Sequence, residues 1–498
     1  MAYMGIDIGT TGSKATIIDA KGTTLSYVYQ SYKAARTNEG FAEIDPASVW
    51  QTVRHVIAQA ALKTKEPVQA IAIASLGESF VALDKQDRVL RNSMLYADVR
   101  GSEEVADILQ QVDKQRLFDI TGMPINAMYT LNKLLWVKKH EPDIFNRIDK
   151  LFLFEDFIYY MLSKERCIDY SLASRTMFFD VTRYRWSEEV LNAFGLDETM
   201  LSKPVPTGSV IGRVRDELAQ DLNLPRGVLL VAGAHDQVCA ALGAGVLSKG
   251  ECVDGIGTSE CITAVLDGLE QKAFMLQNHF CIEPYAIQGE YVTLAFSASG
   301  MSIMSWFSDE IARAATSDSP AFAVLERECP PKPTDIFVLP HFSGSGTPFM
   351  DPFSCGALIG LRLSTTRSEF YKACMEGLCF EMKSNADLLA QMGTSIKTIT
   401  CVGGGSRSDV LLQIKADIMG IPVNRLKNEE SGTAALAMLC ATACGDYMDL
   451  KDAAAQIVKL DKSFAPNATN HDRYLQKFGI FQQIYPSLRQ LNHSISVL

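Results

Sequence analysis

The sequence predicts an α/β protein of two related halves, each offering a glycine-threonine turn to one cleft. Residues 4–8 (MGIDI) form a short apolar run that turns through Gly9-Thr10-Thr11-Gly12 and resumes as a second strand over residues 14–18. The same turn recurs near mid-chain. Ile256-Gly257-Thr258-Ser259 repeats Ile8-Gly9-Thr10-Thr11, and Val265-Leu266-Asp267 repeats Ile17-Ile18-Asp19, both at an offset of 248 in a chain of 498 residues. Apolar strands at 228–232 and 399–402 each run into a turn and then a helix-like stretch, the alternation of an α/β sheet. The halves divide as 1–247 and 248–498.

Composition narrows the function classes. With 47% apolar and 21% charged residues this is a folded chain with ample core. A formal charge of −11 with no basic tract excludes a nucleic-acid or anionic-membrane partner as the expectation. The twelve cysteines are scattered without a C-x-x-C pair and read as small core residues of a reducing compartment. No signal sequence opens the chain, and the weakly polar run 228–247 contains His235, Asp236 and Gln237, so a cytoplasmic protein without a membrane span is expected.

In the first half, the glycines of the opening turn let backbone N–H groups approach an anion, and Thr10, Thr11, Ser13 and Lys14 supply further donors. Asp7, at the strand end, is placed to hold Mg²⁺ directly or through water. An ordinary hairpin with a glycine-rich turn is the alternative. Residues 70–75 form a strand followed by Leu76-Gly77-Glu78-Ser79, which sets Glu78 where α/β clefts open. Asp98 and Arg100 either pair with one another or reach a ligand's hydroxyls. Residues 128–140 read as a helix, with Leu131, Leu134, Leu135 and Val137 apolar. After strand 228–232, Asp236 stands at a strand-to-helix junction, either as an N-cap or as a general base aimed into the cleft, with His235 as its orienter or as a buried structural histidine.

In the second half, the Gly257-Thr258-Ser259 turn lacks the carboxylate of the first, because Asp7 corresponds to Gly255. Residues 300–311 read as a helix entered through small residues, and 368–392 as a long helix. Strand 399–402 runs into Gly403-Gly404-Gly405-Ser406-Arg407-Ser408 and a helix over 409–419, with Val410, Leu411, Ile414 and Ile418 spaced for burial. Three glycines in series suit a flat ring lying against backbone, or simply a loop from strand to helix.

These residues carry a resemblance. Met128-x-Thr130-x-x-Lys133-Leu134-x-Trp136-Val137-x-Lys139-His140 matches the first signature of the FGGY carbohydrate kinases. Gly356-x-Leu358-x-Gly360-Leu361, then Glu369-Phe370 and Ala373-Cys374-Met375-Glu376, matches the second apart from an atypical Cys374. Along nearly its full length the chain resembles this family of the actin-like ATPase superfamily. The resemblance implies two actin-like, ribonuclease H-like ATPase domains flanking a central cleft. The first would hold the sugar acceptor, the first phosphate loop and the catalytic base, the second the other phosphate loop and the adenosine site.

By position, Asp236 is similar to the family's base, and Asp7 with Asp236 to its magnesium-associated carboxylates. Thr10, Thr11, Ser13 and Lys14 resemble its first phosphate loop and Gly257, Thr258 and Ser259 its second. Gly404, Gly405 and Ser408 fall where adenosine is held, and Glu78, Asp98, Arg100, Asp236 and Gln237 in the acceptor region. The implied reaction is transfer of the ATP γ-phosphoryl group to a hydroxyl of a small carbohydrate, with Mg²⁺. A ketopentose such as xylulose is the first expectation; glycerol, erythritol, gluconate or a hexulose, or a non-catalytic sugar sensor, are the alternatives. Leu76-Gly77-Glu78-Ser79 departs from the Gln-Met-His-Gly of xylulose kinases and the Arg-Glu of glycerol kinases, which leaves the acceptor open. A homodimer is a family-level expectation.

Overall fold

Strand Ala2–Ile8 lies at the heart of the first sheet, and all but one of its residues are buried. It pairs parallel with Val68–Ser75 and antiparallel with Gly12–Asp19. A strand covered on both faces needs apolar or small residues throughout, which is why this one does not alternate. The structure, a computed structural model, describes residues 1–37, 39–312, 321–428 and 430–495. Across the first sheet the order is Val210–Arg213, Leu229–His235, Val68–Ser75, Ala2–Ile8, Gly12–Asp19 and Thr24–Ser31. Ala2, Met4, Ile6 and Ile8 join one core cluster with Val49, Val53, Val56 and Ile57 of helix Pro46–Leu62. That helix starts cleanly because the Asp45 carboxylate accepts from the N–H groups of Ala47 and Ser48 and Pro46 presets its first turn.

The alternate residues point to the opposite face. There helix Ser431–Ala443 approaches so closely that a Cβ on Gly5 would lie 2.8 Å from the Thr433 carbonyl oxygen. Gly243, at the end of helix Asp236–Gly243, is tighter still: its Cβ would lie 1.8 Å from the Ser431 carbonyl oxygen. This packing explains the division of the chain. The first compact unit comprises Met1–Leu247, Cys281–Val292 and Glu430–Val458, and the second Ser248–Phe280, Thr293–Glu429 and Lys459–Leu498. A single cut after residue 247 leaves two short segments in the wrong half, because alanine-rich Ser431–Ala443 buries its surface against the first sheet.

The second unit repeats the plan. Its sheet runs Tyr291–Ser297, Glu260–Val265, Glu251–Ile256, Thr398–Val402, Val423–Leu426 and Leu460–Phe464. Glu251–Ile256 pairs antiparallel with Glu260–Val265 and parallel with Thr398–Val402, as Ala2–Ile8 does with its own neighbours. The sequence echo is therefore an echo of topology. At the edge beyond the parallel strands the two sheets differ, because the antiparallel strand precedes its parallel neighbour in the first unit and follows it in the second.

Element ends moved by a few residues. The helix expected over 128–140 is Thr130–His140, and the long helix is Arg367–Gln391, started by a capping box between Thr366 and Glu369. The stretch 300–311 is not one α-helix: Met301–Trp306 passes into a wider π-type turn, Phe307–Ala312. None of the twelve cysteines forms a disulfide, and among the described residues no helix is long and apolar enough to cross a membrane.

Candidate active site

The first hairpin turn is held by its own backbone and by Tyr32. Gly9 N–H donates to the Gly12 carbonyl at 3.0 Å, Tyr32 N–H donates to the Thr11 carbonyl at 3.0 Å, and the Tyr32 hydroxyl donates to the Gly9 carbonyl. Thr10 and Thr11 stay at the surface. Ser13 does not: it is fully buried and its hydroxyl donates to Tyr32, which removes it from the donors open to an anion. Asp7 shares the face of Gly5, beside the start of helix Ser431–Ala443, and a Cβ on Gly432 would lie 4.0 Å from its Oδ2. Directly across the ladder, Lys14 reaches Asp7 at 3.1 Å and Glu430 at 2.7 Å. Burial alone would discharge this ammonium, but the two carboxylates outweigh it and hold it charged.

Asp236 is the first residue of its helix, not the cap. His235 occupies the cap position, so the Asp236 carboxylate is not engaged in closing the helix, which corrects the N-cap alternative. About a third of the side chain, 35%, remains exposed. Even so, the surrounding protein raises its pKa above the ordinary aspartate range. Asp7 and Glu78 add to the rise, and His235 opposes it. Gln237 follows on the same turn, half-buried.

Behind Asp236 runs an unbroken chain of alternating charge. His235 Nε2 lies 3.2 Å from Asp236 Oδ1, and His235 Nδ1 lies 2.9 Å from Glu283 Oε1. Arg175 Nη1 donates to Glu283 Oε2 at 3.3 Å, and its Nε donates to Glu78 Oε1 at 2.7 Å. Arg175 also stacks over the Tyr129 ring at 5.1 Å. Burial works against the charge on His235, but Glu283 and Asp236 lift its pKa to about 9, so it stands as a cation near neutrality. Burial likewise opposes the charge of Glu283, and His235 and Arg175 reverse that and lower its pKa.

Two glycine-permitted geometries hold the near end of this chain. Glu78 sits at φ +61°, a strained region for a residue with a side chain, and its carbonyl accepts from the Thr130 hydroxyl at 2.7 Å. A Cβ on Gly77 would lie 3.2 Å from Arg175 Cγ and 3.3 Å from His235 Nε2, so any side chain there would press on both. Asp98 and Arg100 take the first of their two expected roles and pair with one another. Asp98 Oδ1 accepts from Arg100 Nε at 2.8 Å, Oδ2 accepts from Ala42 N–H at 2.7 Å, and Arg100 also meets Glu43 at 2.7 Å. With its side chain wholly buried and both oxygens occupied, Asp98 braces the wall and is not open to a sugar hydroxyl.

In the second unit the Gly257-Thr258-Ser259 turn is held from below by the start of helix Met301–Trp306. Gly300 N–H donates to the Thr258 carbonyl and Met301 N–H to the Gly257 carbonyl, each at 2.8 Å. The Thr258 and Ser259 hydroxyls are left on the exposed side. The three glycines after Thr398–Val402 prove unequal. Gly403 has φ +83°, and a Cβ on Gly405 would lie 2.3 Å from Ile256 Cγ2, so both serve the fold. Nothing lies within 4 Å of a Cβ on Gly404. Ser408 caps helix Asp409–Met419 by accepting from Leu411 N–H at 3.1 Å, so its hydroxyl has a structural task of its own.

The N-terminal domain model of the FGGY family of carbohydrate kinases matches residues 2–243, and the C-terminal domain model matches residues 255–444. The chain belongs to that family. A xylulose kinase of Staphylococcus epidermidis is 28% identical to it over 501 residues, covering 98% of this chain and 97% of the relative. Among solved structures, a xylulose kinase from Rhodospirillum rubrum superposes at a TM-score of 0.90 with 25% identity, covering 99% of this chain and 100% of that one. A gluconate kinase from Lactobacillus acidophilus also gives 0.90 at 25% identity, covering 98% of each chain. This FGGY protein is thus an ATP-dependent carbohydrate kinase with an alcohol group as acceptor and a small carbohydrate as substrate.

Three charged residues around the kinase's site went unread in sequence: Arg175, Glu283 and Glu430. Glu283 carried a signal, since it stands alone in the apolar run Phe280-Cys281-Ile282-Glu283-Pro284-Tyr285 and is wholly buried there. Because Gly404 faces open space, Gly404→Val tests the adenosine assignment without a clash inside the protein. An overpacked ring should weaken ATP by about 1–3 kcal/mol, roughly five- to 150-fold. Calorimetry with an unchanged ATP affinity removes Gly404 from the site.

Proposed function

We propose that this kinase phosphorylates an uncharged polyhydroxyl sugar, a ketopentose such as xylulose, with Asp236 as general base. The observation that carries the reading is that the cations of the acceptor region are already engaged. Arg175 is held by Glu78 and Glu283, His235 by Glu283 and Asp236, and Arg100 by Asp98 and Glu43. Buried Lys133 donates to the Leu95 carbonyl. An aldonate carboxylate would therefore enter beside Glu78 and Asp236 with no cation released to meet it. Two like charges at 4 Å repel by about 4 kcal/mol at an effective dielectric of 20. Neutral hydroxyls face no such opposition and suit Glu78, whose Oε1 takes both Arg175 contacts and whose second oxygen has no protein donor among the described contacts. This favours the xylulose kinases over the gluconate kinase among the relatives.

In the chemical step the acceptor hydroxyl gives its proton to an Asp236 oxygen as its new bond to the γ-phosphorus forms and the bond from that phosphorus to the bridging oxygen breaks, releasing ADP. A base is needed only late in such a transfer, so a carboxylate with a modestly raised pKa suffices. In the first unit Thr10 and Thr11 present donors suited to phosphate oxygens. In the second unit Thr258 and Ser259 do so, and Gly404 leaves room for the adenosine. Asp7 and Asp236 are the residues that would hold Mg²⁺. Each presents carboxylate oxygen, the donor magnesium takes, and their side chains stay 21% and 35% exposed. When bound, the ion neutralises charge on the phosphates. The test is ADP release with a panel of ketoses, polyols and aldonates. Ketopentoses should exceed aldonates in kcat/KM by about 10²–10³, the size of the like-charge penalty. An aldonate turned over as well as any ketose overturns the proposal.

A further inference from the structure

A second group of buried charges lies in the other unit, where the sugar chemistry has no use for it. Lys415 is wholly buried on helix Asp409–Met419, and its ammonium donates to both Asp254 and Glu260. Asp254 stands three residues before Gly257, and Glu260 directly follows Ser259. Asp254 faces Ile262 across the ladder and Ile256 faces Glu260, so the two carboxylates form a diagonal pair on one face of the hairpin. One ammonium thus holds both feet of the Gly257–Ser259 turn. It does so from the helix whose N-terminus is formed by the Gly404–Ser408 loop.

The internal repeat shows that the fold does not require this arrangement. At the matching positions the first hairpin has Ile6 and Gly12, and it folds around an apolar cluster. Three buried ionisable groups are a poor way to gain stability, because desolvation offsets most of their attraction and apolar replacements are often as stable. What such a cluster supplies is a fixed geometry. Burial pushes the pKa of Glu260 up and Lys415 counters the rise, so the charges of the trio are tightly coupled.

We infer that Lys415, with Asp254 and Glu260, is a positioning clamp that makes the second phosphate turn and the adenosine loop one rigid nucleotide-binding body. This rests on the assignment of those two loops to ATP under the proposed function. The clamp touches neither sugar nor phosphate and acts only through the register of the two loops. Its loss should therefore appear in the parameters for ATP and not in those for the sugar.

The test compares the wild-type enzyme with the triple variant Asp254→Asn, Glu260→Gln, Lys415→Met, which keeps the volume and leaves no unpaired charge. The expected result is a KM for ATP raised about tenfold or more, with the sugar KM and adenosine affinity within about twofold of wild type, since displacing one loop misaligns only the phosphate end. An unchanged KM for ATP overturns the clamp, as does an equal loss for ATP, adenosine and sugar, which marks a merely structural role. Should the triple variant not fold, Asp254→Asn alone decides, since it keeps the Lys415–Glu260 pair. It should raise the KM for ATP about three- to tenfold, and no change overturns the inference. Gly404→Val separates the two ideas: if that variant binds ATP normally, the loop assignment itself is lost, and if it binds weakly while the clamp variants do not, only the clamp is lost.

Discussion

Asp236→Asn is expected to lower turnover by about 10²–10⁴ at saturating sugar, with ATP affinity nearly intact. The substitution keeps the shape of the side chain and removes the ability to take a proton. Because Asp236 is the first residue of its helix and does not cap it, the helix should be insensitive to the change. The carboxylate lies at the end of the charge chain from Glu78 and contacts His235 only through Oδ1, so its other oxygen has no protein donor among the described contacts. Its pKa is raised first by burial and then by Asp7 and Glu78, so the acidic limb of the wild-type kcat/KM profile should lie above the ordinary aspartate range and vanish in the variant. Comparable single-turnover rates for the two proteins, with the true acceptor and matched ATP occupancy, exclude Asp236 as the base.

What was legible in the sequence is what short stretches of chain determine. The two hairpins, the glycine-threonine turns and the repeat depend on apolar runs and turn residues that lie next to one another. The repeat then extends to the strand order of both sheets. The misreadings have the same origin. Ser13 looks like a phosphate donor until the return strand places Tyr32 against it, and nothing in the letters says that Ser408 also caps its helix. Gly403, Gly404 and Gly405 are equivalent as letters. Only the packing of Ile256 beneath them shows that two serve the fold and one faces open space. Arg175 and Glu283 are the clearest case: each is partnered by residues about a hundred positions away. No periodicity or spacing announces a partner that only tertiary folding supplies. Likewise the return of Glu430–Val458 to the first unit follows from glycines at 5 and 243 that admit a helix from far along the chain.

Arg175→Met should be the most damaging single change away from the base. The guanidinium is almost wholly buried and joins two buried acids, and truncating it leaves Glu78 without its ion pair and Glu283 with His235 alone, at a cost of about 3–5 kcal/mol. Methionine preserves much of the volume, so the loss is electrostatic rather than a cavity. Two consequences separate Arg175 from a residue that merely stabilises. Glu78, held at φ +61° and ion-paired with Arg175, should lose its fixed orientation, and the sugar KM should rise. Glu283 should then rest on His235 alone, loosening the histidine that faces Asp236, so kcat should fall as well, for a combined loss in kcat/KM of about 10² or more. ATP affinity should hold, since no described contact of Arg175 reaches the phosphate turns. Arg175→Lys should recover charge but not the fork that bonds Glu78 and Glu283 together, and so should restore stability more than activity. Urea unfolding and steady-state kinetics on the two variants check both halves. A methionine variant with wild-type midpoint and wild-type sugar kinetics would show that the charge chain behind Asp236 has no part in the reaction.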